Sequence, residues 1–182
     1  MPAGWVALTG TPGTGKSTVA RRLPQDLHAI ELRDLALRLK AGRRRGRGSV
    51  EVDLPLLRRR FRSYSRAVAT GVLVGHLAHR LPVRYIIVLR CHPRALDRRL
   101  RRARRSAPER AMNVLSETLD IVLVEALRTG VPVREVDTTG RSPAAVAHLV
   151  AQVVRRRPPS RYGQVNWLAD RRVTEELLRD AF

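Results

Sequence analysis

The sequence predicts a three-layer α/β domain with a parallel sheet of about five strands. Short apolar runs that lack polar alternation are separated by amphipathic, helix-length segments, and such runs are typical of strands buried on both faces of a parallel sheet. A glycine-rich turn follows the first apolar run directly. Hydrophobic residues make up 43% of the 182 residues, which is enough to bury a core and argues against a disordered basic chain.

The predicted strands are apolar runs bounded by glycine, proline or polar residues. They cover residues 5–9, 71–75, 84–89 and 133–137. Because helical segments separate them along the chain, the strands are expected to run parallel, with helices on both faces of the sheet.

The predicted helices are recognised by apolar spacing and by end signals. The first helix stops at Pro24. Asp53 is placed to cap the third helix, with Pro55 in its first turn, and Ser142 caps the closing helix of the domain. The helices are predicted over residues 16–23, 31–40, 53–69, 93–105, 108–128, 142–154 and 174–181, with a glycine- and arginine-rich loop over residues 41–48.

The helix predicted over residues 108–128 is long and continuous, with apolar side chains at helical spacing. We expect a buried stripe formed by Met112, Leu115, Leu119, Val122 and Leu123.

The domain is predicted to cover residues 1–154, and residues 155–182 form a basic linker and a short helical tail. Two roles stay open for Trp167 in this tail: packing on the domain, or contact with a partner.

Residues 10–17 match the pattern G-x-x-x-x-G-K-[ST] in full, between the first strand and the first helix. Glycines let the backbone curl so that its N–H groups converge on a phosphate at a helix N-terminus. Lys16 is expected to reach the β- and γ-phosphates of ATP and to act in catalysis, and the Ser17 hydroxyl to bind Mg²⁺. The ATP-binding residues predicted in this loop are Gly13, Thr14, Gly15, Lys16, Ser17 and Thr18.

Arginine supplies nearly all of the positive charge, since Lys16 and Lys40 are the only lysines among 36 basic residues. Lysine is a compact point charge, whereas the arginine guanidinium is a wide planar fork that would crowd a phosphate loop. The net charge of +20 favours an anionic partner. With 4% aromatic residues a base-stacking surface is not expected, so phosphate contacts with small ligands or folded RNA fit better.

The loop predicts a nucleoside triphosphate but not the group that accepts the phosphoryl. An N-K-x-D motif of GTPases is absent, and the chain is too short for the extra domains of most motor ATPases. A small kinase remains, with an acceptor-binding helix pair at about residues 30–53 and a basic lid at about residues 99–110 that closes over the phosphates.

The sequence has no membrane-spanning run, no signal-peptide features and no second cysteine, and these absences limit the compartment and the redox chemistry expected for the protein. No apolar run reaches the ~18 residues of a membrane-spanning helix, and the start of the sequence lacks the features of a signal peptide. Cys91 is the single cysteine, which excludes an internal disulfide and argues against a cysteine-built metal site. We therefore expect a cytoplasmic protein without membrane contact.

Several further segments occur together with the loop, in one order from residue 5 to about residue 154. They are residues 9–18, 52–54, 75–82, 87–90, 113–126 and 137–143, of which G-H-L-A-H at 75–79 and D-T-T-G-R-S-P at 137–143 are the more specific. Together they resemble the adenylate kinase 6 family, also called CINAP, and most closely its archaeal members. The resemblance implies a P-loop NTPase of the nucleoside-monophosphate (NMP) kinase type, with NMP-binding and lid insertions.

The resemblance also implies an activity and partners. The activity is transfer of the ATP γ-phosphoryl to AMP or other NMPs with Mg²⁺, beside a separate ATPase activity. The implied partners are ribosomal protein uS11, bound transiently, and pre-30S particles during 16S rRNA maturation, with contacts to rRNA phosphates. Two alternatives stay open: an ATP-switched assembly factor with negligible kinase activity, and a kinase of another small metabolite.

Family positions imply further site residues. His76 keeps the place of a histidine implicated in hydrolysis, and a packed or capping histidine is the alternative. The family has an acidic residue, which helps to hold Mg²⁺, where this chain has Val74. Magnesium is therefore expected to rest on Ser17 and the phosphates, with Asp34 or Asp53, the two residues also predicted to bind the NMP.

The lid also departs from the family, which has an arginine where this chain has Ala103. A shift of one residue lets Arg102 or Arg104 take the role of binding the nucleotide phosphates. Arg141 follows the last strand, at the sheet edge that receives ligands in α/β folds, and is predicted to flank the adenine of ATP. An ordinary strand-to-helix turn is the alternative there.

Overall fold

A computed structural model describes residues 4–46 and 49–181 and confirms the three-layer α/β fold. The strands are β1 (Val6–Thr9), β2 (Ala29–Glu31), β3 (Gly42–Arg44), β4 (Val50–Val52), β5 (Val72–Val74), β6 (Tyr85–Arg90) and β7 (Val133–Asp137). The helices are α1 (Lys16–Ala20), α2 (Leu32–Arg38), α3 (Leu54–Ala67), α4 (Pro93–Arg102), α5 (Ala107–Thr118), α6 (Ile121–Leu127), α7 (Pro143–Arg156) and α8 (Arg171–Ala181).

The main sheet has five parallel strands in the order β2-β5-β1-β6-β7. The chain crosses from β1 to the β2 side and then returns to the β7 side, so β1 lies in the centre. The carboxyl ends of all five strands meet at one edge, which is where α/β sheets bind ligands. The loop that follows β1 therefore lies in the middle of that edge.

Each face of the sheet carries its own apolar core, because successive strand residues point to opposite faces. On one face, Ala7 of β1 packs in a cluster with Phe61 of α3 and Leu123 of α6. On the other face, Leu8 packs in a cluster with Val19 of α1 and Val150 of α7. These two layers of helices bury the sheet on both sides, as the apolar runs predicted.

The predicted end signals are confirmed at two helices. The Asp53 carboxylate accepts a hydrogen bond from the backbone N–H of Leu56 and caps α3, and the Ser142 hydroxyl caps α7 by accepting from Ala145. Most helices are shorter than predicted: α1 ends at Ala20, and α4 ends at residue 102 rather than 105.

Three strands went unpredicted because each is only three residues long. The strand β2 completes the main sheet next to β5. The loop predicted over residues 41–48 contains β3, which pairs with β4 in an antiparallel hairpin. Residues 47 and 48 of the predicted loop lie outside the described residues. Three-residue strands give too little alternation for a pattern to register.

The single helix predicted over residues 108–128 is wrong, since α5 and α6 are separate helices. Asp120 adopts a left-handed conformation with φ 56° between them. The expected stripe is broken accordingly: Met112 is 68% exposed and Leu119 is 41% exposed, while Leu123 of α6 is buried. The break turns Asp120 toward Arg90 at the end of β6, where the two side chains form an ion pair.

The tail lies along the β7 edge of the sheet. Glu135 of β7 donates its backbone N–H to the Arg161 carbonyl at 3.1 Å, and its carboxylate accepts from the Gly163 N–H at 2.6 Å. Further along, the ring of Trp167 lies 5.8 Å from the guanidinium carbon of Arg90. Of the two roles left open for Trp167, the structure therefore shows packing on the domain. Within the described ranges, no helix is long and apolar enough to cross a membrane.

Candidate nucleotide-binding site

The loop between β1 and α1 is held in a compact curl. Gly10 and Gly13 have φ of 137° and 95°, in the left-handed region that favours glycine. A Cβ atom on Gly13 would also lie 2.7 Å from a methyl carbon of Leu96 in α4. Thr14 closes the curl, because its hydroxyl and its backbone N–H both donate to the Thr11 carbonyl, at 2.9 and 3.2 Å.

Lys16 points its ammonium group back into this curl. Its Nζ donates to the carbonyls of Gly10 at 2.7 Å and Thr11 at 2.9 Å. Burial lowers the pKa of Lys16 to about 8, although the nearby carboxylates of Glu117 and Glu31 act in the opposite direction. The ammonium is thus a positive charge in a poorly solvated place, which an anion would stabilise.

A cleft of about 990 Å³ opens at the carboxyl edge of the sheet, with the loop as one wall. Its other walls come from the start of α2, the β3–β4 hairpin, the turn after β5, α4 and the turn after β7. All the loop residues predicted from the sequence line this cleft, as do His76 and Arg141. The structure thus brings together residues that lie up to about two-thirds of the chain apart.

The arginines that line the cleft differ in part from those predicted. Arg99 and Arg105 line it, whereas Arg102 and Arg104 do not. The reason is that α4 ends at Arg102 and the backbone turns through φ 55° at Arg104, which brings Arg105 to the cleft. Arg99 is anchored there: its guanidinium donates to the hydroxyl and the carbonyl of Thr138, both at 2.9 Å.

The structure does not bring Asp34 or Asp53 to the cleft lining. Asp53 is engaged in capping α3. Asp34 lies on the exposed side of α2, where its carboxylate is 3.6 Å from the Arg33 guanidinium. The cleft carboxylate that sequence reasoning missed is Glu31, at the junction of β2 and α2. Its position became visible only once β2 was known to pair with β5.

His76 lines the cleft on the turn after β5, while His79 lies beneath that turn. Burial lowers the pKa of His76, and the positive charge of Lys16 lowers it further. His79 is buried, with Nδ1 3.0 Å from the Thr9 hydroxyl and Nε2 3.1 Å from Glu125. The Thr9 hydroxyl donates to the His76 carbonyl at 3.0 Å, so this chain of contacts ties the turn to β1. These contacts give His79 a structural role.

A buried ion-pair network lies directly behind the loop. Arg90 at the end of β6 pairs with Glu117 at 2.8 Å, with Glu135 at 2.5 Å and with Asp120. Burial alone lowers the pKa of Arg90, but the three carboxylates outweigh it and raise the pKa above its usual value. Glu117 also accepts from the Thr11 hydroxyl at 2.5 Å, so the network holds the loop from below.

The residues present fit a magnesium ion held mainly by a nucleotide. No described group of three or more His, Cys, Asp or Glu side chains could hold a metal on its own. Magnesium usually keeps several waters and binds through one or two carboxylates plus substrate phosphates. Ser17 and Glu31 line the same cleft and supply one hydroxyl and one carboxylate for such a site.

Comparison with known proteins agrees with this geometry. Residues 6–120 match the sequence model of a family described as an AAA domain. A solved structure of an uncharacterized protein from Eubacterium ventriosum superposes with a TM-score of 0.57 at 11% identity, covering 83% of this chain and 97% of the other, which shows the fold alone.

Relatives with higher identity cover nearly the whole chain. A protein of Pyrococcus furiosus named "Putative adenylate kinase" is 37% identical over 178 residues, covering 95% of this chain and 94% of the relative. A protein of the same name from Halobacterium salinarum is 43% identical over 155 residues, covering 82% and 89%. The identity and coverage of these relatives, with the family model matched over residues 6–120, show that the chain belongs to this adenylate kinase-like family of P-loop proteins, and its fold is that of a nucleotide kinase.

Proposed function

We propose that this chain is a broad-specificity NMP kinase that transfers the γ-phosphoryl of ATP to AMP or another NMP. The observation that carries the proposal is the cleft, where the loop and Lys16 face Arg99, Arg105 and Arg141 from other walls. Such a ring of cations suits the charge on two nucleotides. The names of the relatives support the same activity.

The proposed reaction needs positioning and charge rather than a protein acid or base. An oxygen of the NMP phosphate attacks the γ-phosphorus, a new P–O bond forms, and the bond to the β-phosphate oxygen breaks. Lys16 and the loop N–H groups hold the β- and γ-phosphates, while Arg99 and Arg105 neutralise the charge that moves. A bound Mg²⁺ supplies further charge neutralisation on the phosphates.

The acceptor-binding segment is proposed at about residues 30–53 and the lid at about residues 99–110. Arg33, Val50 and Val52 line the cleft from the first of these segments, which suits an acceptor nucleotide. Arg105, which follows α4, lines the cleft from the second segment and suits a cover for the phosphates.

ATP hydrolysis is proposed as a second activity of the same cleft. The His76 ring faces the cleft and its lowered pKa keeps it neutral near pH 7, so it is able to accept a hydrogen bond from a water. Hydrolysis replaces the NMP oxygen by this water as the attacking group.

A coupled assay with a panel of NMPs tests the kinase. We expect turnover with AMP and at least one other NMP, and a loss of about 10²–10³-fold in Lys16→Ala. Lys16→Arg keeps the charge but not the shape, and Lys40→Arg at the other lysine is its matched control, with turnover like that of the native chain. No turnover above Lys16→Ala with any NMP would remove this proposal, and fast transfer to another small metabolite would favour the alternative kinase.

A role as an ATP-switched assembly factor is the second candidate, and charge is the observation that favours it. A second cleft of about 970 Å³ is lined by Arg58, Arg59 and Arg62 of α3 and by Arg128. In the described part of the chain these four arginines form no ion pair, so they are available for phosphates of rRNA. Binding of uS11 and pre-30S particles, and work in the cytoplasm, belong to this candidate.

Pull-down with uS11 and with 30S precursors, each with and without ATP, tests the assembly role. We expect binding that ATP weakens, and the same binding without ATP sensitivity in Lys16→Ala. Binding that is indifferent to nucleotide in the native chain would remove the switch, and no binding would remove the partner.

A further inference from the structure

The end of β5 lacks the acid that its position calls for. P-loop NTPases hold Mg²⁺ with the loop Ser or Thr and with an aspartate from a second motif. In this chain β5 ends at Val74, which is apolar and fully buried. A nucleotide kinase with this strand needs its carboxylate from elsewhere in the cleft.

Glu31 lies beside the position that Val74 occupies. In the parallel pairing of β2 with β5, Glu31 is the register partner of Val74. Neighbouring strands are about 4.8 Å apart, and paired residues of parallel strands project to the same face of the sheet. The side chain of residue 31 therefore begins about one strand spacing from the side chain of residue 74, at the same carboxyl edge of the sheet.

The Glu31 carboxylate is free to act in the cleft. Glu31 is the N-cap residue of α2, but its side chain makes no capping hydrogen bond, and no contact among the described residues gives it an ion pair. Two further acids, one behind the loop and one beneath the turn after β5, are engaged: Glu117 with Thr11 and Arg90, and Glu125 with His79. Of the described residues that line the cleft, Glu31 is the one carboxylate.

We infer that Glu31 is the carboxylate that positions Mg²⁺ on the bound nucleotide in this chain, in place of the acid missing at Val74. This inference rests on the proposed nucleotide-binding function. Ser17 supplies the hydroxyl from the loop, and Glu31 lines the same cleft from the end of β2. One carboxylate suffices, because the phosphates and waters complete the magnesium shell. The negative charge of Glu31 also acts on the loop, because it raises the pKa of Lys16 against the larger effect of burial.

Calorimetric titration with ADP, with and without Mg²⁺, tests the inference on the full chain. In the native chain Mg²⁺ should tighten ADP binding. In Glu31→Gln, which keeps the size, we expect this gain to fall about 10–100-fold, the usual effect of removing a metal-organising group. Binding of ADP without Mg²⁺ should stay equal or improve, since one negative charge near the phosphates is gone. Asp26→Asn, at an exposed acid that pairs with Arg155 and does not line the cleft, is the matched control and should behave like the native chain.

Binding of Mn²⁺ with ADP, followed by electron paramagnetic resonance, gives a second readout without turnover. The affinity for Mn²⁺ should drop in Glu31→Gln, stay intermediate in Glu31→Asp, and recover in part when Val74→Glu is added to Glu31→Gln. A merely structural role for Glu31 would not be rescued from the neighbouring strand.

The outcomes separate the inference from the proposed function. An unchanged gain from Mg²⁺ in Glu31→Gln, with Mn²⁺ affinity also unchanged, would overturn the inference and leave nucleotide binding in place. A native chain that binds no ADP under either condition would overturn both. Should Glu31→Gln not fold, Glu31→Ala takes its place with the same expected losses, and an unchanged gain from Mg²⁺ in that variant would overturn the inference.

Discussion

At the scale of single residues, Lys16 concentrates the chemistry of the cleft. Its ammonium is held by two loop carbonyls and its pKa is lowered to about 8 by burial. An incoming phosphate favours the protonated form and raises that pKa again. Nucleotide binding is therefore coupled to uptake of a proton by Lys16 at pH values near and above about 8, where part of the nucleotide-free protein has lost that proton.

This coupling has a measurable sign. Above about pH 8 the affinity for ADP should fall by about tenfold per pH unit, since one pKa unit corresponds to 1.36 kcal/mol. Calorimetry between pH 7.5 and 9.5, in two buffers of different ionisation enthalpy and at constant ionic strength, measures both the affinity and the protons taken up. Lys16→Met should bind weakly with no such pH dependence. A flat profile in the native chain would contradict the coupling.

At the scale of elements, Asp53 carries two predictions, a helix cap and a nucleotide ligand, and the structure shows the cap. Its carboxylate accepts from the Leu56 N–H at 2.9 Å and begins α3. Asp53→Ala should lower the free energy of unfolding by about 1 kcal/mol in urea titration, while Asp53→Asn, another good N-cap, should stay close to the native value. The KM for AMP should be unchanged in both. A raised KM in the stable Asn variant would instead restore Asp53 to acceptor binding.

At the end of α5, just before the junction with α6, the buried carboxylate of Glu117 pairs with Arg90. Glu117→Ala takes one of its three carboxylates from the buried Arg90 and leaves the Thr11 hydroxyl without its acceptor, so it should cost about 3–5 kcal/mol of unfolding free energy. Glu109→Ala on the exposed side of α5, where Glu109 pairs with Arg105, should cost under about 1 kcal/mol. Denaturation of both variants compares the two sites, and equal costs would mean that the network is not a support of the fold.

At the scale of the whole molecule, the tail is joined to the nucleotide loop through one carboxylate. Trp167 donates its indole N–H to Glu117 at 3.2 Å, and Glu117 in turn accepts from Thr11. His92 meets the Trp167 ring edge-on at 5.2 Å between centroids and pairs with Asp170. The last described helix is thereby fastened to the same network that supports the loop.

Trp167→Phe tests this connection, because it keeps an aromatic ring near Arg90 and removes the N–H donor together with the five-membered ring of the indole. We expect a loss of about 1.5–3 kcal/mol in unfolding free energy, as for a hydrogen bond to a charged group. The second tryptophan, Trp5, lies in the core, and Trp5→Phe is the fluorescence control. In Trp5→Phe the remaining tryptophan fluorescence comes from Trp167, and it should change when ADP binds. Fluorescence that is unchanged by ADP would contradict a connection between the tail and the loop.

How much the sequence predicts depends on whether a feature is local. The phosphate loop is contiguous, since its glycines, lysine and serine act within eight residues, and helix caps such as Ser142 act within one turn. These were predictable. The break at Asp120 was not predictable, because a left-handed residue inside an apolar pattern depends on a partner that is distant in the sequence, Arg90 of β6.

The sequence by itself therefore determined the fold class and the glycine-rich loop with Lys16 and Ser17, because close spacing along the chain sets them. Tertiary structure alone decided which distant side chains line the cleft beside that loop. Glu117 reaches Thr11 across 106 residues, and Glu31 stands beside Val74 only because β2 pairs with β5. Strand pairing and helix ends choose such neighbours through packing of the whole core, and no short pattern records that choice.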